Sequence, residues 1–369
     1  MRIHPYLLDP RAVLVLQTPP ADGVQWEDFQ QAAGRAMAIL QVELEGERAV
    51  IKPNITSGER FIEPDTGITT HPGFVKGMVA YLQKHGARDR QVTIVEDPRN
   101  TDDNVRRNWE KTCYQRVAQE TGAKLHFPST YTCVKKSVPQ PLARPVLNVS
   151  RLATAQNTAL FNVPKLKNHN LAITTLCMKN LMGLVSVFDR HFCLQSWQEM
   201  PPAVLSDRRP RHEWFTPSMH EQWQIGLARR LVDTAQVIHP ALNIVEGIVG
   251  REGTGFQRGR NRALGLVVAG INMVAVDSLA SYLMGFEPQE ILYLRLAAGA
   301  GLGEIEISRL RVYTEQEGEI IACPDVARLR IDPPFRVIKN IQGEDPDPFG
   351  LAGSGIVDAS DTFFGKSKA

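Results

Sequence analysis

Apolar runs alternate with helix-like stretches along the first half of the chain. Residues 12–16 form an unbroken apolar run of strand length, and 49–51 form another that ends on Lys52, Pro53 and Asn54. Between them, 26–40 repeats its apolar positions at the helical interval. Thr69, Thr70 and His71 then supply a hydroxyl cap and lead into Pro72, which predicts a helix over 74–85 that Gly86 stops. Residues 91–95 read as a strand ending at Glu96 and Asp97, and 105–121 again as a helix. This alternation predicts an α/β fold with a largely parallel sheet and right-handed crossover helices. Ligands of such sheets sit beyond the carboxyl ends of strands, where Lys52, Asn54, Glu96 and Asp97 fall.

The second half is less regular. Residues 127–145 are rich in Pro, Ser and Thr and read as an irregular connection, after which 146–149 and 158–163 resume strand character. From 190 to 230 the chain turns aromatic and basic around Trp197, Trp214 and Trp223, which predicts an irregular central insertion that covers a cleft or makes a subunit contact. Residues 242–245 and 266–269 read as strands. A glycine-studded loop is expected from Gly247 to Gly259, and a helix over 278–283. The expected organisation is one α/β domain over 1–340, admitting two lobes that divide near 150–240, with the insertion at 190–230 and a flexible or docking tail at 343–369.

Charge narrows the partners. The 42 basic residues exceed the 40 acidic ones by two, so the chain exerts little long-range pull on nucleic acid or an anionic membrane, and any electrostatic recognition is local. Arg208, Arg209, Arg211, Trp214 and Trp223 are types that bind phosphate and stack on bases. They sit in no recognised nucleic-acid module, so a solvated insertion or a protein contact is the expectation. Asp9 and Pro10 break the apolar residues at the amino end, and no stretch approaches the roughly 20 apolar residues of a membrane span. A cytoplasmic protein with no membrane span is expected. Cys113, Cys133, Cys177, Cys193 and Cys323 are odd in number and widely spaced, which fits reduced thiols and neither a disulfide framework nor an iron–sulfur ligand run.

The densest chemistry lies in Asn162, Val163, Pro164, Lys165, Leu166, Lys167, Asn168 and His169, followed by Lys179, Asn180 and Gly183. Lysines and amides crowded against apolar strand residues need acidic company, because burying an ammonium without compensation is costly. In an extended segment Lys165 and Lys167 share one side and Leu166 takes the other. The expected ligand is an anionic small molecule bearing carboxylate or phosphate, held by Lys52, Asn54, Asn162, Lys165, Asn168, Asn180, Gly183, Gly253 and Gly255. Chemistry is expected from Lys167, Lys179 and His169, the histidine as a proton carrier oriented by Glu246 or Asp277. A divalent ion is admitted at Glu246, Glu252 and Asp277, and a transition metal would recruit His169 or His71. No ligand spacing fixes either, so the cofactor stays open. Arg251 and Arg258 flank the glycines as charge partners, although the loop is neither a Walker loop nor a dinucleotide fingerprint. Cys177 beside His169 reads as packing ahead of nucleophile.

These stretches resemble the family called domain of unknown function 362. The landmarks are Ile51 to Asn54, Phe161 to His169, Thr175 through Lys179 to Gly183, Glu246 to Ile248 with Glu252 to Gly255, and Val274 to Asp277, in the family's order between about 50 and 312. Two positions depart from it: Glu246 stands where Asp is usual, and Phe256 where Pro is common. The resemblance implies an α/β domain in which the landmarks converge, without implying a settled reaction. Some members carry ferredoxin-like iron–sulfur segments or export signals, and this sequence has neither motif. Three functions follow as expectations: a small-molecule enzyme, a non-catalytic metabolite-binding or assembly protein that admits a protein partner or homo-oligomer, and an electron-transfer accessory protein.

Overall fold

The short apolar runs become the strands of one large sheet. The computed structural model of the chain describes residues 1–18, 25–55, 67–97, 109–128, 132–186, 189, 216–255 and 259–344. In chain order its elements are β1 (Ala12–Gln17), α1 (Trp26–Ile39), β2 (Arg48–Pro53), α2 (Pro72–Lys84), β3 (Val92–Val95), α3 (Tyr114–Thr121), β4 (Lys124–His126), β5 (Cys133–Ser137) and β6 (Val146–Ser150). There follow α4 (Arg151–Thr154), β7 (Thr158–Val163), β8 (Lys165–His169), β9 (Ile173–Thr175), α5 (Cys177–Asn180), α6 (Pro217–Ala235), β10 (Leu242–Arg251) and β11 (Asn261–Gly270). The last are α7 (Met273–Leu283), α8 (Leu292–Gly299), β12 (Arg311–Gln316) and β13 (Glu319–Ala322).

The sheet has 11 strands in the order β13-β12-β1-β11-β10-β7-β2-β3-β4, with β8 and β9 attached through β10. The run β10-β7-β2-β3-β4 is parallel throughout. Antiparallel pairs join β11 to β1 and β10, β12 to β13, and β8 to β9. The fold is therefore α/β with a mixed but largely parallel sheet.

Period-two alternation divides the strand residues between two cores. Ala49, Ile51, Phe161, Ile244 and Val267 face one layer with Phe29 and Ala33 of α1, Phe74 and Met78 of α2, and Tyr114 of α3. Val50, Leu160, Val245 and Val268 face the other, with Leu227 and Leu231 of α6, Leu279 and Leu283 of α7, and Leu294 of α8. Helices on both faces explain why these strands read as continuous apolar runs.

Several expectations change. Residues 127–145 are not wholly irregular, since β5 pairs antiparallel with β6 in a separate two-stranded sheet. The glycine-rich stretch after Val245 continues as strand to Arg251, because Gly247 and Gly250 lie against Leu166 of β8 and leave it the room a side chain would take. The helix expected over 278–283 begins at Met273, capped by Asn272. The described part of the expected insertion is a helix of the core, for α6 runs 19 residues from Pro217 and buries Leu227, Ala228 and Leu231. Residues 190–215 of that insertion, with Trp197, Arg208, Arg209, Arg211 and Trp214, lie outside the described residues, as do Cys193, Phe256, Arg258 and the tail from 345.

Candidate functional site

The chain leaves β2 outward to β3 and β4, then returns to place β7 on β2's other side and β10 beyond it. Strand order thus reverses between β2 and β7, and the crevice outside the carboxyl ends at such a reversal is where open α/β sheets bind ligands. Lys52 and Asn162 are register partners at that point.

Lys52 shares the face of Val50 and is fully buried. Its Nζ donates to Glu96 at 2.6 Å, to the Pro53 carbonyl at 2.7 Å and to Asn180 Oδ1 at 3.2 Å. Asn180 returns its amide to the Lys52 carbonyl at 3.0 Å and to Asn162 Oδ1 at 2.8 Å. Asn162 donates onward to Asn243 Oδ1 at 2.9 Å and the Cys177 carbonyl at 3.0 Å. Asn243 in turn reaches the carbonyl of Ile271 at 3.1 Å. Glu96 also accepts the backbone N–H groups of Ile55 and Asp97. Gly183 closes the cluster, because a Cβ there would collide with Glu96 Oε1 and come within 2.7 Å of Lys52 Cε. A lysine, a carboxylate and three amides are thereby satisfied inside the protein, as a buried polar network must be.

A second pair occupies the other face. Pro164 breaks the chain between β7 and β8, so β7 pairs with β10 through Leu242 and Asn243, and β8 pairs with the later part of β10. Lys165 opposes Glu246 in that register and donates to it at 2.6 Å, both side chains being inaccessible to solvent. Lys165 Nζ also lies over the Phe29 ring, 5.6 Å from its centroid. Burial lowers the affinity of this ammonium for its proton, and Glu246 pulls against that trend. Glu246 accepts the backbone N–H of His71 at 3.1 Å and of Ile248 at 3.0 Å.

Lys167 joins the two by way of the loop after β2, donating to Asn54 Oδ1 and the Ile68 carbonyl, each at 2.7 Å. That loop is itself fixed, since Thr70 Oγ1 donates to the Val163 carbonyl at 2.6 Å and accepts the Asn54 N–H at 2.9 Å. Leu166 points into the α6–α8 core, in keeping with its expected opposition to the lysines. Three lysines from β2 and β8 therefore meet internal acids and amides at one edge of the sheet, and the network they form is buried.

The remaining candidates divide. His169 is buried, and its Nδ1 accepts the N–H groups of Leu171 and Ala172 at 3.1 and 3.2 Å, which places the ring proton on Nε2. Asn168 donates to the Ile173 carbonyl at 3.0 Å. Gly255, at φ +108°, lies against the Asn168 carbonyl, and Thr254 accepts the Asn170 N–H, so the loop after β10 packs on the end of β8. Gly253 pairs with Val337. Lys179 is half-buried on α5. Glu252 does not face the lysines: it binds Arg260, lies 3.8 Å from Arg262 and accepts the Arg336 N–H. Arg251, largely buried, donates to Asn261, and desolvation drops its pKa to about 10.

Glu246 or Asp277 is the expected partner that orients His169, the substrate or an ion, and the bonds described for both go to other groups of the protein. Glu246 serves Lys165 and two backbone amides. Asp277 accepts the N–H groups of Cys177 at 2.7 Å and Met178 at 3.0 Å, so it caps the turn that carries Asn180. Its burial raises the carboxyl pKa to about 7, against the lowering effect of those hydrogen bonds. The thiol of Cys177 is pushed well above the usual range by burial and then by Asp277, which leaves it protonated and a poor nucleophile. Among the described residues no three His, Cys, Asp or Glu side chains gather as a metal-binding group. No helix among them is long and apolar enough to cross a membrane.

Two members of the network were missed as binding candidates. Asn243 is an amide inside the apolar run 242–245, a signal that sequence does carry. His71 reads from sequence only as a metal ligand, yet its side chain caps α2 by accepting the Gly73 N–H, a role expected of the neighbouring hydroxyls.

The chain belongs to the family described as domain of unknown function (DUF362), whose model matches residues 49–282. It is also similar to a thylakoid-associated protein of Synechocystis sp., 24% identical over 270 residues that cover 70% of this chain and 73% of that protein. No solved structure matches the chain.

Proposed function

We propose that this member of the family is an enzyme acting on a small molecule that bears carboxylate or phosphate, recognised at the carboxyl edge of β2, β7 and β8. The observation that carries the reading is the gathering of Lys52, Asn162 and Asn180 on one face and Lys165 on the other, with Lys167 and Asn54 beside them, at the carboxyl edge where the strand order reverses. In the ligand's absence Glu96 and Glu246 balance Lys52 and Lys165, and in this reading the anion takes over donors that now serve internal acceptors. The Lys165–Glu246 pair offers a proton donor and acceptor shielded from water, and His169 at the end of β8 is the proton carrier of this reading. Lys179 on its half-exposed turn meets the ligand first. In this reading the reaction runs in the cytoplasm.

A screen of carboxylates and phosphates by thermal shift and by mass-spectrometric turnover tests this. Wild type is expected to be stabilised by, and to convert, one class of them, with Lys167→Gln weakening binding at least tenfold and His169→Gln lowering kcat more than it raises KM. Unchanged binding and turnover in both variants would sink the roles assigned.

A second reading, a non-catalytic metabolite-binding protein, is favoured by one feature. The His169 Nδ1 lone pair that a general base would use is already engaged by two backbone N–H groups. That reading predicts saturable binding with no product from any bound compound.

A further inference from the structure

Buried polar atoms nearly always find partners, and those that do not need an explanation. The His71 side chain is buried, with 1% of its residue surface exposed, and it has one idle nitrogen. Nδ1 accepts the Gly73 N–H at 3.1 Å, which puts the ring proton on Nε2. Nε2 has no hydrogen-bond partner. The ring cannot readily swing to find one, because it stacks on Phe29 at 3.8 Å between centroids and meets the edge of Trp26 at 4.9 Å.

The groups around the residue indicate what would fill that donor. Lys165 Nζ sits over the same Phe29 ring. The His71 backbone N–H and Lys165 Nζ converge on one oxygen of Glu246. An N–H in the field of an ammonium that shares its aromatic neighbour is poorly matched by a further donor and well matched by an oxygen carrying negative charge. Burial, and then Lys165, push the imidazole pKa down to about 2, so the ring stays a neutral donor. It gives direction to a contact whose charge the lysines provide.

We infer that His71 is a ligand-contacting residue, donating its Nε2–H to an anionic oxygen of the bound carboxylate or phosphate. The inference rests on the anion-binding reading proposed above and adds to it a neutral, directional donor from the amino end of α2.

The test uses the full chain with 15N-labelled histidine, titrated with inorganic phosphate and, separately, malonate. The Nε2 proton of His71 is expected to move downfield saturably with one of these anions. His71→Asn keeps an acceptor for the Gly73 N–H but is too short to place a donor where Nε2 lies. It is expected to bind the same anion about tenfold more weakly, the loss of one hydrogen bond. If wild type binds an anion in a Lys167-dependent manner while the His71 resonance stays still and His71→Asn binds equally, this inference falls and the proposed function stands. If neither anion binds wild type, both fall. Should His71→Asn fail to fold, the wild-type resonance alone decides.

Discussion

At the scale of single residues, the polar groups of this protein are set by burial more than by residue type, and Asp277 shows the consequence most directly. Its carboxyl pKa rises from 3.8 to about 7 on folding. Between those values the unfolded chain releases a proton that the folded one keeps, so the contribution is fully present below about pH 4 and is lost as pH rises to about 7. The span corresponds to on the order of 4 kcal/mol. Asp277→Asn removes that slope, so the stability of wild type relative to the variant is expected to fall between pH 4 and 7. Urea unfolding across the interval measures it, and parallel curves for the two proteins would contradict the assignment. His71 acts in the opposite sense, because below pH 6.5 the unfolded imidazole takes up a proton that the buried ring refuses, and it cancels in the comparison since both proteins carry it. The lysines were legible from sequence as groups in need of acidic partners. Which acid each would take was not, since Glu96 and Glu246 lie 44 and 81 residues from Lys52 and Lys165, and pairing over such separations is fixed by strand register.

At the scale of elements, the strands and helices of the first half followed their apolar patterns closely, from β1 and α1 through β3. The exceptions have a shared cause. β10 was expected to stop near Val245 because glycines follow, yet Gly247 and Gly250 are where Leu166 packs against its backbone, a requirement imposed by another strand. The one-turn helix α5 is a similar case. A four-residue helix has too few hydrogen bonds to stand alone, and it persists because Asp277 holds its first amides and Asn180 is tied to Lys52 and Asn162. The turn after it must pass flush against the Lys52–Glu96 pair, and Gly183 is the residue that lets it. Gly183→Ala would drive a methyl into Glu96 and Lys52, with an expected loss of about 1–3 kcal/mol. A chemical-denaturation midpoint left unchanged by this substitution would show that the two segments do not meet as described.

At the scale of the whole molecule, the family match over 49–282 contains every residue of the lysine–amide network but not all of the sheet that supports it. β1 lies between β11 and β12, pairing with both, although it precedes the matched region. α1, also outside it, contributes Phe29, the ring that carries His71 and Lys165. The carboxyl-terminal part reaches back as well, for the Arg336 N–H donates to Glu252 and the Ile338 N–H to the Gly253 carbonyl. A fragment of residues 49–282 would therefore expose the ten-residue strand β11 as a bare edge and uncover the α1 side of the core. It is expected to aggregate or to lose cooperative unfolding, whereas 1–344 is expected to unfold in one transition, as followed by circular dichroism and size-exclusion chromatography. A soluble, cooperative 49–282 fragment would mean that the matched region is a complete folding unit, with β1 and α1 merely laid against it. The loss expected here follows from geometry: the buried Lys165–Glu246 pair lies against Phe29 of α1, and removing that helix opens the pair to water.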